Sequence, residues 1–65
     1  MKLIKNKKTE TYHEIEVVKT FLFWSRTVKY RKVNGNVFRY VEPNEYIPTG
    51  LGEYIDVKDL FYAEV

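Results

Sequence analysis

The dipeptide Asn34-Gly35 constrains this chain more than any other feature. It lies between RTVKYRKV (26–33) and NVFRYV (36–41), two runs rich in β-branched and aromatic residues. A two-residue type I′ turn needs positive φ at both central positions, and Asn followed by Gly meets that need at the lowest steric cost. With 34–35 as the loop, the register follows: Val33 faces Asn36, Lys32 faces Val37, Arg31 faces Phe38, Tyr30 faces Arg39, Lys29 faces Tyr40 and Val28 faces Val41. Strand side chains alternate between faces. One surface of the hairpin therefore carries Lys29, Arg31, Phe38 and Tyr40. The other carries Val28, Tyr30, Val37, Arg39 and Val41, and its three valines mark it as the inner face.

The preceding segment, HEIEVVKTFLF (13–23), has the β-branched and aromatic content of a strand. Ile15, Val17, Phe21 and Phe23 share one expected core face, interrupted by Lys19. A helix opening at Thr11, with Glu14 completing a capping box, would place Ile15, Val18 and Leu22 on one stripe. The scarcity of strong helix formers in VVKTF favours the strand. WSRT (24–27) reads as a turn or bulge leading into the hairpin. Pro43 ends the pairing, because proline has no N–H to give the ladder. PNEYIPTGLGEY (43–54) reads as an ordered loop with Tyr46 and Ile47 tucked against the sheet and a tight bend at Gly50-Leu51-Gly52. Two readings stand for the end of the chain: a helix over 57–63 capped by Asp56, with Val57, Leu60 and Phe61 on one stripe, or strands at 53–55 and 60–65. The cap, with Asp56 and Asp59 at the positive end of the helix dipole, favours the helix.

Sixty-five residues make one domain, 1–65, whose basic start over 1–8 is expected to be flexible. So short a chain buries only about 60% of the surface its unfolded form exposes. It has no cysteine, so packing must stabilise it; four Phe, six Tyr and one Trp supply the apolar area. The expected fold is mostly β: an antiparallel sheet or half-closed barrel of three to five strands, with one short C-terminal helix. MKLIKNKK lacks the apolar run of a secretory signal, and no stretch is long and apolar enough to span a bilayer, so no membrane partner and a cytoplasmic location are expected.

Charge is segregated along the chain. Residues 17–41 hold Lys19, Arg26, Lys29, Arg31, Lys32 and Arg39 and no acid, whereas residues 42–65 hold six acids against Lys58. Either the two stretches form opposed faces or they pair with each other in the fold. The second is the plainer reading.

Catalytic chemistry finds little support. The single serine, Ser25, and the single histidine, His13, lie in no nucleophile motif. Gly50-Leu51-Gly52 lacks the third glycine of a dinucleotide loop. No metal-ligand spacing is present, so neither an enzyme nor a cofactor is expected. What remains is a binding surface. Two cations beside two rings, Lys29 and Arg31 with Phe38 and Tyr40, joined by Trp24, suit a protein partner, since Trp, Tyr, Phe and Arg dominate interface centres. The same face would suit single-stranded nucleic acid, with bases on the rings and Arg26 and Lys32 contacting phosphates. Cation–ring neighbours also stabilise exposed sheets without any ligand. In size and composition the chain resembles small accessory proteins of bacteriophages, inhibitors or minor virion parts, though no motif carries the likeness.

Overall fold

The structure, a computed structural model describing residues 1–64, places Asn34 at φ 51° and Gly35 at φ 82°, the positive values a type I′ turn demands. Around that turn five strands run antiparallel in sequence order: β1 (Lys2–Lys8), β2 (His13–Phe21), β3 (Trp24–Val33), β4 (Asn36–Val41) and β5 (Glu45–Pro48). They form one open sheet. The chain then enters α1 (Leu51–Val57), which continues as a 3-10 helix over Lys58–Tyr62.

The β3–β4 register is the one the turn dictates over four pairs, Val33/Asn36 to Tyr30/Arg39, and there the ladder stops. From Trp24 to Lys29, β3 pairs with β2 alone. The division of faces also holds. Ile15, Val17, Val28, Tyr30 and Val37 point to one side, where Val57 and Phe61 of the C-terminal helical segment cover them. Val57, Leu60 and Phe61 do share a stripe, and the first and last are buried.

Several boundaries differ from those read in the sequence. WSRT is strand, and the turn falls on Leu22-Phe23. Its position is set by the core: burying Ile15 against Tyr30 and Val17 against Val28 puts the midpoint of the β2–β3 pairing between residues 22 and 23. Phe21 and Phe23, expected inside, are therefore 70% and 96% exposed. The basic start is β1, an edge strand paired with β2 through a register shift between Leu3 and Lys5. Within 43–54, residues 45–48 are strand rather than loop, and the helix starts at 51 instead of 57. Asp56 lies inside it, not at its cap. Thr49 holds the approach, donating its N–H and hydroxyl to the Val37 carbonyl at 3.1 and 3.2 Å. Gly50 precedes the helix in extended conformation and Gly52 lies in its first turn, so neither makes the expected tight bend.

The basic middle and the acidic last third do meet, through one residue. Glu53, in the first turn of α1, accepts from Tyr30 Oη at 2.8 Å and from Arg39 Nη1 at 3.0 and 3.1 Å, with Lys19 Nζ 3.8 Å away. Burial would raise the Glu53 pKa, but the hydrogen bonds from Tyr30 and Arg39 and the charges of Arg39 and Lys19 outweigh it and hold the carboxyl below its ordinary value. Burial first, then the bond to Glu53, pushes the Tyr30 phenol up, so it stays a donor. The helix end is pinned at the opposite side of the sheet. Asn6 Nδ2 donates to the Ala63 carbonyl at 2.8 Å, and His13 Nε2 donates to Asn6 Oδ1 while its ring meets Phe61 edge-on at 5.1 Å.

Candidate functional site

The outer face assembles the four residues that the register brings together, and adds three that complete them. Arg31 stacks between Tyr12 and Tyr46, its guanidinium carbon 4.1 and 4.4 Å from the ring centroids. Its Nε and Nη2 both donate to Glu14 Oε2, at 3.1 and 2.7 Å. That bond raises the Arg31 pKa further. Lys29 lies 5.1 Å from the Tyr40 ring centre and 3.9 Å from Glu14 Oε1. Tyr40 meets Tyr46 edge-on at 5.2 Å and donates to the Pro43 carbonyl. Phe38, opposite Arg31 on one side and Pro48 on the other, is half-buried.

This cluster satisfies itself. Glu14 is only 9% exposed, and both cations of the face are spent on it. A guanidinium stacked between two rings and bonded through Nε and Nη2 to a carboxylate has lost its bidentate Nε/Nη2 edge to Glu14, and a phosphate would have to compete with that charge. The sequence reading placed Tyr46 against the sheet but missed Glu14 and Tyr12; alternation on β2 and the cross-strand pairing of Glu14 with Arg31 were the signals that could have found the acid.

Arg26 and Lys32, assigned to the same face as phosphate contacts, share the opposite parity. Lys32 donates to Tyr62 Oη at 3.0 Å and sits over the rings of Phe61 and Tyr62. Arg26 is exposed, and no ion pair reaches it among the described residues. The serine and histidine are far apart: Ser25 pairs with Thr20 and His13 with Lys32, seven residues along β2, roughly 24 Å at about 3.4 Å per residue. Among the described residues no cluster of His, Asp or Glu is placed to hold a metal ion, and no helix is long and apolar enough to cross a membrane.

The open surface lies elsewhere. Trp24, the remaining predicted site residue, belongs to the end of the β2–β3 hairpin, which runs past both neighbouring strands: β1 stops opposite Val18 and β4 opposite Tyr30. On this arm Phe21, Leu22, Phe23 and Trp24 are exposed by 70, 72, 96 and 70%. Thr20 and Ser25, 3.4 Å apart through their hydroxyls, and then Lys19 and Arg26 form a polar collar behind them. Leu22 has φ 55°, in the left-handed region that costs a non-glycine residue roughly 1–2 kcal/mol. A branched apolar residue is thus held where Gly or Asn would be cheaper.

Compared with protein-family models, curated proteins and solved structures, the chain matches none. The reading of its function rests on geometry and charge.

Proposed function

We propose that this chain is a non-enzymatic binding module that engages a protein partner through the tip of the β2–β3 arm, with Trp24 and Phe23 as anchors. The supporting observation is the run of four large apolar side chains, all at least 70% exposed, at the end of a hairpin that no other element covers. A small domain keeps such area out of its core at a cost in stability, and contiguous exposed apolar patches mark interaction sites. Aromatic anchors ringed by polar groups are also the composition of interface hot spots. The strained φ of Leu22 adds to this, since backbone strain clusters where function maintains it. Lys29, Arg31, Phe38 and Tyr40 then serve as the rigid platform from which the arm projects.

A single-stranded nucleic-acid binder is the second reading, supported by the unpaired Arg26 two residues from Trp24. The commitment of Lys29 and Arg31 to Glu14 counts against it. A photo-crosslinking residue at position 23, compared with one at position 7 on β1, separates the cases in cells that make the protein. The protein reading expects a protein adduct of discrete mass from position 23, absent from position 7 and lost in Trp24→Ser. Adducts to nucleic acid or lipid, or none from position 23, would overturn it.

A further inference from the structure

The sheet has several stretches of open backbone edge, among them β2 residues 19–21 beyond the end of β1, and they are not equally protected. The outer edge of β1 carries Lys5 and Lys7 and is broken by the register shift between Leu3 and Lys5. That of β5 is four residues long and ends in Pro48. Charge, irregularity, brevity and proline are the usual defences of an edge against further pairing. A further open edge belongs to β3 from Trp24 to Val28, where β4 has already ended its pairing. Its sequence, WSRTV, has strong strand propensity, no proline and no bulge.

The direction of the polar groups on this edge follows from the register. In a two-residue hairpin the closing pair, Phe21 and Trp24, exchanges hydrogen bonds, so Arg26 and Val28 also turn theirs toward β2. Ser25 and Thr27 turn their N–H and C=O outward. Neither has a β4 partner, and neither takes part in a backbone hydrogen bond outside the ladders. Beside them β3 and β4 splay around a cleft of about 630 Å³, lined by Arg26, Thr27, Lys29 and Arg39 with Glu16 and Glu42. Glu14 and Glu53 already neutralise Lys29 and Arg39, and Lys5 lies 3.9 Å from Glu16. Among the described residues no carboxylate pairs with Arg26, and the one acid of the cleft without an ion pair is Glu42. The cations around the cleft (Lys5, Lys19, Arg26, Lys29, Arg31 and Arg39) therefore outnumber its acids (Glu14, Glu16, Glu42 and Glu53).

We infer that the β3 edge, residues 24–28, binds an extended, acidic segment of a partner protein as an added strand, with a carboxylate meeting Arg26 and the aromatic tip closing over the end of the segment. Main-chain bonds to Ser25 and Thr27 supply the alignment, and side-chain contacts the selectivity, as in other strand-addition modes. A second copy of this chain is a poor occupant. Antiparallel self-pairing in the register with the longest overlap of 24–28 sets Arg26 opposite Arg26, and like charges directly opposite are unfavourable. The inference rests on the protein-binding reading above and specifies how the partner is held.

Thr27→Pro tests it. Proline removes one outward donor, and at an edge position facing solvent it leaves the β2 ladder intact. Peptides selected from a randomised twelve-residue display library (about that length spans the arm at ~3.4 Å per residue) on the full chain are expected to be acidic and β-branched. Their affinity should fall about tenfold in Thr27→Pro, the upper end of the scale for one lost main-chain bond. It should also fall in Arg26→Glu, and recover when the peptide's carboxylates are replaced by lysine. Amide exchange by NMR gives a second readout: Ser25 and Thr27 exchange quickly in the free chain and become protected with peptide bound, while Arg26 and Val28 are protected in both states. Peptides that lose affinity in Phe23→Ser but not in Thr27→Pro would overturn strand addition and leave the tip reading standing. An empty selection alongside a position-23 protein adduct would do the same. A dimer seen by sedimentation and abolished by Thr27→Pro would make the occupant a second copy instead and overturn the inference.

Discussion

The β3–β4 hairpin turns on Asn34-Gly35 and the β2–β3 hairpin on Leu22-Phe23, each in two residues and each with its first residue at positive φ, 51° and 55°. At the first turn, side chain and backbone agree: Asn and Gly are the residues that adopt such angles cheaply, and nothing apolar is displayed. At the second they disagree. Leucine occupies a conformation it adopts only at a cost, and the reward is four exposed apolar side chains beyond the sheet. The first turn is explained by its own two residues; the second takes its place from the core register, and its exposed apolar tip is the surface the proposed partner would cover. A similar contrast separates the cations. Arg31 and Arg39 are tied to Glu14 and Glu53 at the base of the sheet, while Arg26 on the arm meets no carboxylate among the described residues.

The largest expected effect sets an aromatic of the base against one of the arm. Phe61, 2% exposed against the sheet, is expected to cost about 3–5 kcal/mol as Phe61→Ala, enough to unfold a domain of this size at moderate temperature. Phe23→Ser should change stability by no more than about 0.5 kcal/mol, since Phe23 is 96% exposed. Urea midpoints measure both; a comparable loss in Phe23→Ser would mean that the tip packs against the molecule.

The two turns give the next contrast. Gly35→Val forces a β-branched residue to φ 82° and should cost about 1–2 kcal/mol. Leu22→Asn relieves the same kind of strain and should gain up to about 1 kcal/mol while weakening partner binding. Thermal melts read the first quantity and crosslinking yield from position 23 the second. A destabilised Leu22→Asn would show that the leucine is there for the fold.

Acid should loosen the base and spare the arm, because residues 20–25 contain no titratable side chain. The Glu53 carboxyl is held below its ordinary 4.5 in the fold, so the unfolded chain takes up the proton first. Stability from this site is fully present above about pH 4.5 and is lost as pH falls through the lower folded-state value, a change of about 1 kcal/mol or less. The urea midpoint between pH 6 and pH 3 should fall more in the wild-type chain than in Glu53→Gln. His13 shows the smallest effect. Burial, then Lys8 and Lys32, lowers its pKa from 6.5, so its contribution is present above pH 6.5 and declines as pH falls below that. Amide protection in residues 58–62, next to the His13–Phe61 contact and taken relative to the intrinsic exchange rate at each pH, should drop there first, and His13→Gln should remove the response.

Where local chemistry is decisive, the sequence alone was sufficient. Asn34-Gly35 determined its turn, the four-pair register of β3 and β4, and the split between the valine face and the cation–ring face. The same alternation made Ile15 and Val17 legible as core, and the apolar stripe made Val57 and Phe61 so. Everything that depended on a distant partner was decided by the tertiary structure. The β2–β3 turn carries no turn residue; its place comes from burying Ile15 and Val17 against Val28 and Tyr30, and that same register puts Phe21 and Phe23 outside. The helix starts at Leu51 because Thr49 is tied to Val37 and Glu53 to Tyr30 and Arg39, contacts that span 12 to 23 positions in the chain. Whether a basic side chain is open or already neutralised is likewise a long-range property. Arg31 and Arg26 look alike in sequence, and only the cross-strand neighbour, Glu14 in one case and no acid in the other, makes them different.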